Sequence, residues 1–158
     1  MSAAEHIFQK CLAQGAHLST AESCTGGLIA ARIVDLAGVS EVYEQGFVTY
    51  SNEAKERNLG VSHETLERYG AVSRETAAEM ASGCARVSGA DYTVVTTGIA
   101  GPGGGSEEKP VGLVYIGCYV RGTVTTYRNI FTGDRSAIRH AAAERALTLL
   151  DLLIPEAE

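Results

Sequence analysis

Tryptophan is absent from the 158 residues, and aromatics are scarce. Any platform on which bases could stack would have to come from the seven tyrosines and three phenylalanines. Basic residues are also in deficit: 13 lysines and arginines face 19 acids, a net charge of −6. Nucleic-acid-binding surfaces are usually basic, so no nucleic-acid partner is expected, although a local cationic pocket remains compatible with this balance. Cysteine is sparse and scattered (Cys11, Cys24, Cys84, Cys118), which fits neither a zinc site nor a disulfide framework and suggests reduced thiols. The four histidines (His6, His17, His63, His140) form no close pair, and no carboxylate cluster has metal-ligand spacing, so no metal is expected. No apolar run is long enough to span a bilayer, and Met1 to Lys10 lacks the apolar core of a signal peptide. The expectation is a cytoplasmic protein without a membrane partner. Repeats, low-complexity tracts and linker-like shifts are missing too, so residues 1–158 read as one domain.

What is present is organised around Ser19 to Ala31, S-T-A-E-S-C-T-G-G-L-I-A-A. A strand-like run from His17 to Ala21 gives way to small polar residues, two glycines and an apolar helical segment. Ser23, Cys24 and Thr25 occupy the turn, facing the open N–H groups of a helix start, where partial positive charge gathers. Those donors suit an anion or a developing oxyanion. The plainer reading of Ser23 is an N-cap, with Gly26-Gly27 serving close packing.

Along the chain, Ile7, Cys11 and Leu12 have helical spacing over residues 3–15, with Gly15 as a stop. A helix from about Gly26 to Leu36 gathers Leu28, Ile29, Ile33 and Val34 on one side. Val42 to Tyr50 reads as a strand ending at Tyr50, and Ser51-Asn52 caps a short helix that carries Lys55 in its first turns. Lys55 is either a solvated lysine beside Glu53 and Glu56 or a base. Ser62 opens a helix that Gly70 closes, and Ser73 opens a longer one to Val87. Asp91 to Thr97 is a β-branched run that reads as a buried strand.

That strand discharges into G-I-A-G-P-G-G-G-S-E-E-K-P-V-G, residues 98–112. Its glycines let backbone approach a ligand closely, or serve a surface hairpin; it is not a Walker loop, because no G-K-[ST] follows. Val111–Val120 and Thr123–Phe131 form a hairpin at Arg121-Gly122, and a last helix runs from about Asp134 to Leu153. Arg135 and Arg139 sit in its first turns, against the helix dipole, which suits either an anionic ligand or ion pairs with Asp134 or Glu144.

Strands interleaved with helices imply an α/β fold, a three-layer α/β/α sandwich on a mixed, mostly parallel sheet. Ligands in such sheets sit beyond the carboxyl ends of strands. The Ser23 turn, Tyr50 and the Gly98 loop all follow strands, so parallel neighbours would bring the three to one rim. Among chemistries, no histidine lies in a turn that could complete a serine triad. Cys24 is conceivable as a nucleophile, since a helix start lowers a thiol pKa. Lys55 is the remaining base, able to take a proton from serine if it is desolvated.

The blocks A-E-S-C-T-G-G (21–27), V-T-Y-S-N-E-A-K (48–55), L-G-V (59–61), G-A-V-S (70–73), T-G-I-A-G-P-G-G-G-S-E-E-K-P-V-G (97–112) and F-T-G-D-R-S-A-I-R (131–139) resemble, in order, the CinA C-terminal domain family. Stand-alone members of that family are nicotinamide-nucleotide amidohydrolases, which turn nicotinamide mononucleotide into nicotinate mononucleotide and ammonia in pyridine-nucleotide salvage. The chain is similar to such a stand-alone form. The resemblance places the nucleophile on Ser23, the catalytic lysine on Lys55 and an assisting tyrosine on Tyr50. It implies no metal or organic cofactor and a small pyridine nucleotide as substrate.

The rest of the pocket follows as expectation. Backbone N–H groups from Cys24, Thr25 and Gly26 would form an oxyanion hole, and Thr97 with the loop glycines Gly98, Gly101, Gly104 and Gly105 would cover the nucleotide. Arg135 or Arg139 would pair with its phosphate, and Glu22 would lie near the cationic pyridinium. A non-enzymatic nucleotide-binding module linked to competence or DNA damage is the competing reading. A homo-oligomer is compatible with the sequence, which does not specify one.

Overall fold

The structure is a computed structural model that describes all 158 residues. Five strands, β1 (Leu18–Glu22), β2 (Tyr43–Val48), β3 (Tyr92–Gly98), β4 (Leu113–Val120) and β5 (Thr123–Ile130), form one sheet in the order β2-β1-β3-β4-β5. β1 pairs in parallel with β2 and β3, whereas β3–β4 and β4–β5 are antiparallel. β5 therefore runs with β1 to β3, and β4 alone is reversed, giving the mixed, mostly parallel sheet that the interleaved pattern implies.

Six α-helices complete the layers: α1 (Ala3–Gln14), α2 (Leu28–Val34), α3 (Asn52–Leu59), α4 (His63–Tyr69), α5 (Arg74–Ser88) and α6 (Arg135–Leu153). α1, α2 and α6 enclose a core with Ile7, Ile29, Ile33, Ile138 and Leu150 against Val94, Val114 and Ile116. On the opposite face Leu59, Leu66, Met80 and Cys84 pack with Ala21 and Val95. Val94 and Val95 enter different cores because successive strand residues point to opposite faces. That two-sided burial is why β3 reads as an unbroken β-branched run.

Capping follows side-chain chemistry. The hydroxyls of Ser51 and Ser73 accept from Ala54 N and Thr76 N at the starts of α3 and α5, and the Asp134 carboxylate accepts from Ala137 N at α6. Two positions depart from the periodic pattern. Leu12 is exposed, and Lys10 is buried in its stead, its ammonium donating to the carbonyls of Asp151 and Ile154 at 2.8 and 2.9 Å. Val34 is exposed because it lies one residue, about 100° round the helix, past Ile33, and the inward stripe of α2 is Ile29 and Ile33, four residues apart.

Candidate active site

The parallel order β2-β1-β3 places three strand ends side by side. Beyond β1, Ser23 N–H donates to Thr96 O (3.1 Å), carrying the ladder one residue further, and Gly26 N–H donates to Ser23 O (3.0 Å), closing a tight turn. Beyond β2, Thr49 N–H donates to Glu22 O (2.9 Å), so the chain enters α3 directly beside that turn. Lys55 points back from the first turns of α3. Its Nζ lies 3.1 Å from Ser23 Oγ and donates to Thr49 O at 2.8 Å.

Lys55 is 1% exposed and Ser23 8%. The polar partners of the Lys55 amine are a hydroxyl and a carbonyl, not a carboxylate. Burial without a counter-ion penalises the ammonium and pushes its pKa down to about 8. The neutral amine, which can accept a proton from Ser23, is therefore a minor species at pH 7 that becomes half the population near pH 8. Cys24 behaves oppositely: burial pushes its thiol up to about 11, which removes the thiolate that a cysteine nucleophile requires.

A cavity of about 280 Å³ opens over this pair. Of the expected site residues, Ser23, Cys24, Tyr50, Lys55 and Thr97 line it, together with Gly98, Gly101, Gly104 and Arg135. None of its fifteen lining residues is acidic, in a chain whose net charge is −6. Asn52 and the Ala71-Val72 segment also line it and were not singled out from sequence. The only sequence signals for them are the adjoining Ser51 cap and the G-A-V-S block. Thr97 is fixed by donating its hydroxyl to Ala71 O at 2.8 Å.

Gly98 is glycine because a Cβ there would come within 2.7 Å of Leu113 O and 2.6 Å of Val114 Cγ2. Gly98→Ala should destabilise the protein by about 1–3 kcal/mol through this overpacking, read as a lower denaturant midpoint at unchanged m-value.

Five expected site residues lie outside the cavity lining, and the structure gives each a different task. Glu22 is fully buried, with its carboxylate accepting from Ile29 N (2.9 Å), Ala30 N (3.1 Å) and Thr25 Oγ1 (2.6 Å). It anchors the start of α2, where a carboxylate meets the positive end of the helix, and faces no ligand space. Thr25 bridges Glu22 and Thr96 with its hydroxyl. Gly26 spends its N–H on Ser23 O, which leaves the N–H groups of Cys24 and Thr25 without a backbone acceptor. Gly105 packs against the Val111 backbone, where a Cβ would meet Val111 N at 2.8 Å. Arg139 donates from Nε to Cys24 O and from Nη2 to Thr25 O, both at 3.0 Å.

Neither arginine makes the ion pair that its place in α6 allowed: Glu144 pairs with Arg32 instead, and Asp134 caps the helix. Arg135 spans the cavity mouth, donating to Gly101 O at 2.7 Å and to the Tyr50 hydroxyl at 2.9 Å. Tyr50 is 59% exposed and meets Arg135 rather than the lysine–serine pair, which is already in direct contact.

Fold and site together define a mixed α/β sandwich that carries a buried Lys55–Ser23 pair in hydrogen-bond contact at the carboxyl rim of its parallel strands. The model of the CinA C-terminal domain matches residues 1–154, and the chain belongs to that family. It is 51% identical over 151 residues to the nicotinamide-nucleotide amidohydrolase PncC of Shigella flexneri, covering 95% of this chain and 92% of that protein. It is 56% identical over 136 residues to a putative competence-damage inducible protein of Clostridium beijerinckii; the match takes in 86% of this chain and 32% of the relative. The chain thus spans about a third of the length of several such relatives. Among solved structures, the competence/damage inducible protein CihA of Agrobacterium tumefaciens superposes with a TM-score of 0.93 at 48% identity, over 96% of this chain and 93% of that one.

Proposed function

We propose that this chain is an amidohydrolase that deamidates nicotinamide mononucleotide to nicotinate mononucleotide and ammonia, serving pyridine-nucleotide salvage in the cytoplasm. The observation that carries the reading is the Lys55 amine, buried without a carboxylate and 3.1 Å from Ser23 Oγ at the floor of a cavity. The kinship with proteins named nicotinamide-nucleotide amidohydrolase, nearly all of whose length the chain covers, supports the substrate.

Neutral Lys55 takes the Ser23 proton while another of its hydrogens stays on Thr49 O. Ser23 Oγ attacks the carboxamide carbon, and the N–H of Cys24, at the cavity wall, receives the oxyanion. The Lys55 ammonium then protonates the departing nitrogen, which leaves as ammonia. Water, deprotonated by the same amine, attacks the nicotinoyl ester and frees Ser23. The direct contact in the dyad requires no relay through Tyr50.

Arg135 is the phosphate ligand in this reading. It stands at the mouth with neutral partners alone, so its charge is uncompensated until an anion arrives. Arg135→Ala should raise KM for nicotinamide mononucleotide by roughly 10- to 100-fold with little change in kcat, the scale of a lost charged hydrogen bond. Nicotinamide riboside, which lacks the phosphate, should be hydrolysed equally by both forms. The primary test is ammonia release from nicotinamide mononucleotide by the unmodified chain. A folded sample that binds the nucleotide and releases nothing would be a sensor. That second reading gives no reason to keep a lysine buried against its desolvation cost.

A further inference from the structure

Arg139 does not reach the cavity, yet its guanidinium is one of the most constrained groups near it. The nucleophile turn contains two peptide units after Cys24. The unit joining Thr25 to Gly26 is held at both ends: Thr25 O accepts from Leu28 N–H (3.1 Å), and Gly26 N–H donates to Ser23 O (3.0 Å). The unit joining Cys24 to Thr25 has one hydrogen bond, that from Arg139 Nε to Cys24 O. Fixing that planar unit from α6 fixes Cys24, which lines the cavity and whose own N–H has no backbone acceptor. Gly26 supplies the clearance, since a Cβ there would stand 3.2 Å from Arg139 Nη2. The arginine itself is mounted on a rigid base, because Ile138 and Ala142 beside it are buried in the core.

We propose that Arg139 is a positioning residue for the reaction. By tethering the Cys24 and Thr25 carbonyls, it holds the turn that presents Ser23 and the Cys24 N–H, the donor at the cavity wall that stabilises the oxyanion formed at Ser23, and it takes no part in holding the phosphate. The inference rests on the Ser23 mechanism above but not on the identity of the nucleotide.

Two measurements on Arg139→Ala and Arg139→Lys test it. The first is steady-state deamidation of nicotinamide mononucleotide. The second is the rate at which a fluorophosphonate labels Ser23, read by intact mass, which needs the oxyanion donors and no pyridine nucleotide. Arg139→Ala should lower both kcat and the labelling rate by about 10²-fold, within the range for losing an oxyanion donor, with KM within about threefold. Arg139→Lys keeps the charge and can reach one carbonyl, so its loss should be intermediate; it also decides the matter if the alanine variant does not fold. A KM raised tenfold or more with labelling unchanged would make Arg139 a phosphate ligand and overturn the proposal. A lowered melting temperature with both rates intact would reduce it to a scaffold. If the unmodified chain is labelled but does not deamidate, the substrate reading fails and labelling alone decides. If it is neither labelled nor active, both readings fall.

Discussion

Ser23→Ala should lower ammonia release from nicotinamide mononucleotide by at least roughly 10³-fold, the scale on which hydrolases lose activity when the nucleophile of a cooperating unit is removed. The fold should survive, because Ser23 contributes its backbone to the β1–β3 ladder and its hydroxyl only to Lys55. Cys24 provides the internal control. A thiol pushed up to about 11 by burial is mostly protonated at pH 7.5, so Cys24→Ala should stay within about tenfold of the parent and alkylating reagents should act slowly. The two adjacent residues thus make opposed predictions on one assay. Activity that survives at position 23 and vanishes at position 24 would reassign the nucleophile.

How far this site can be read from sequence depends on which geometric relations a strand or helix period fixes. Ser51, Ser73 and the α6 start are local signals, and the structure caps helices at each. The convergence of the Ser23 turn, the Tyr50 end and the Gly98 loop required one non-local fact, that β2, β1 and β3 are adjacent and parallel. Once that order holds, cavity lining by Ser23, Tyr50, Lys55 and Gly98 follows.

Sequence pattern and structure part where a single residue step or helical turn changes a side chain's surroundings. Glu22 neighbours Ser23 in sequence, yet its side chain turns away, to Thr25 and the first amides of α2. Proximity along the chain suggests a ligand contact that strand alternation does not grant. Arg135 and Arg139 stand four residues apart, on the same helix face and one turn distant. That displacement of about 6 Å separates a guanidinium at the cavity mouth from one clamped on the Ser23 turn. Neither composition nor spacing could divide those roles, because the dividing partners, Gly101 and Cys24, come from other strands' loops.

Lys55→Met should be as damaging to activity as loss of Ser23, roughly 10³-fold or more, while making the protein more stable. The two effects share one cause. In the folded protein the ammonium is denied water and has no carboxylate, so its pKa stands at about 8, against about 10.4 in an unfolded chain. Between those values the unfolded state binds more protons, and stability therefore rises with pH; below about 8 both states are charged and the folded state bears the whole desolvation cost. Methionine removes that cost. The variant should gain up to about 3 kcal/mol near pH 7, with the gain shrinking as pH approaches 10, measurable by parallel urea titrations.

The same titration sets the kinetics. For the parent, kcat/KM should rise about tenfold per pH unit and level off near pH 8, where Lys55 becomes neutral. The residual rate of Lys55→Met should lose that inflection, and the Ser23→Ala/Lys55→Met double variant should be no slower than the worse single, since the pair acts as a unit. A methionine variant that is destabilised at pH 7 and retains the inflection would mean that Lys55 is structural and that another group titrates. A variant that is stabilised yet inactive would mean that the buried amine is retained against folding stability, which a purely binding module has no reason to do.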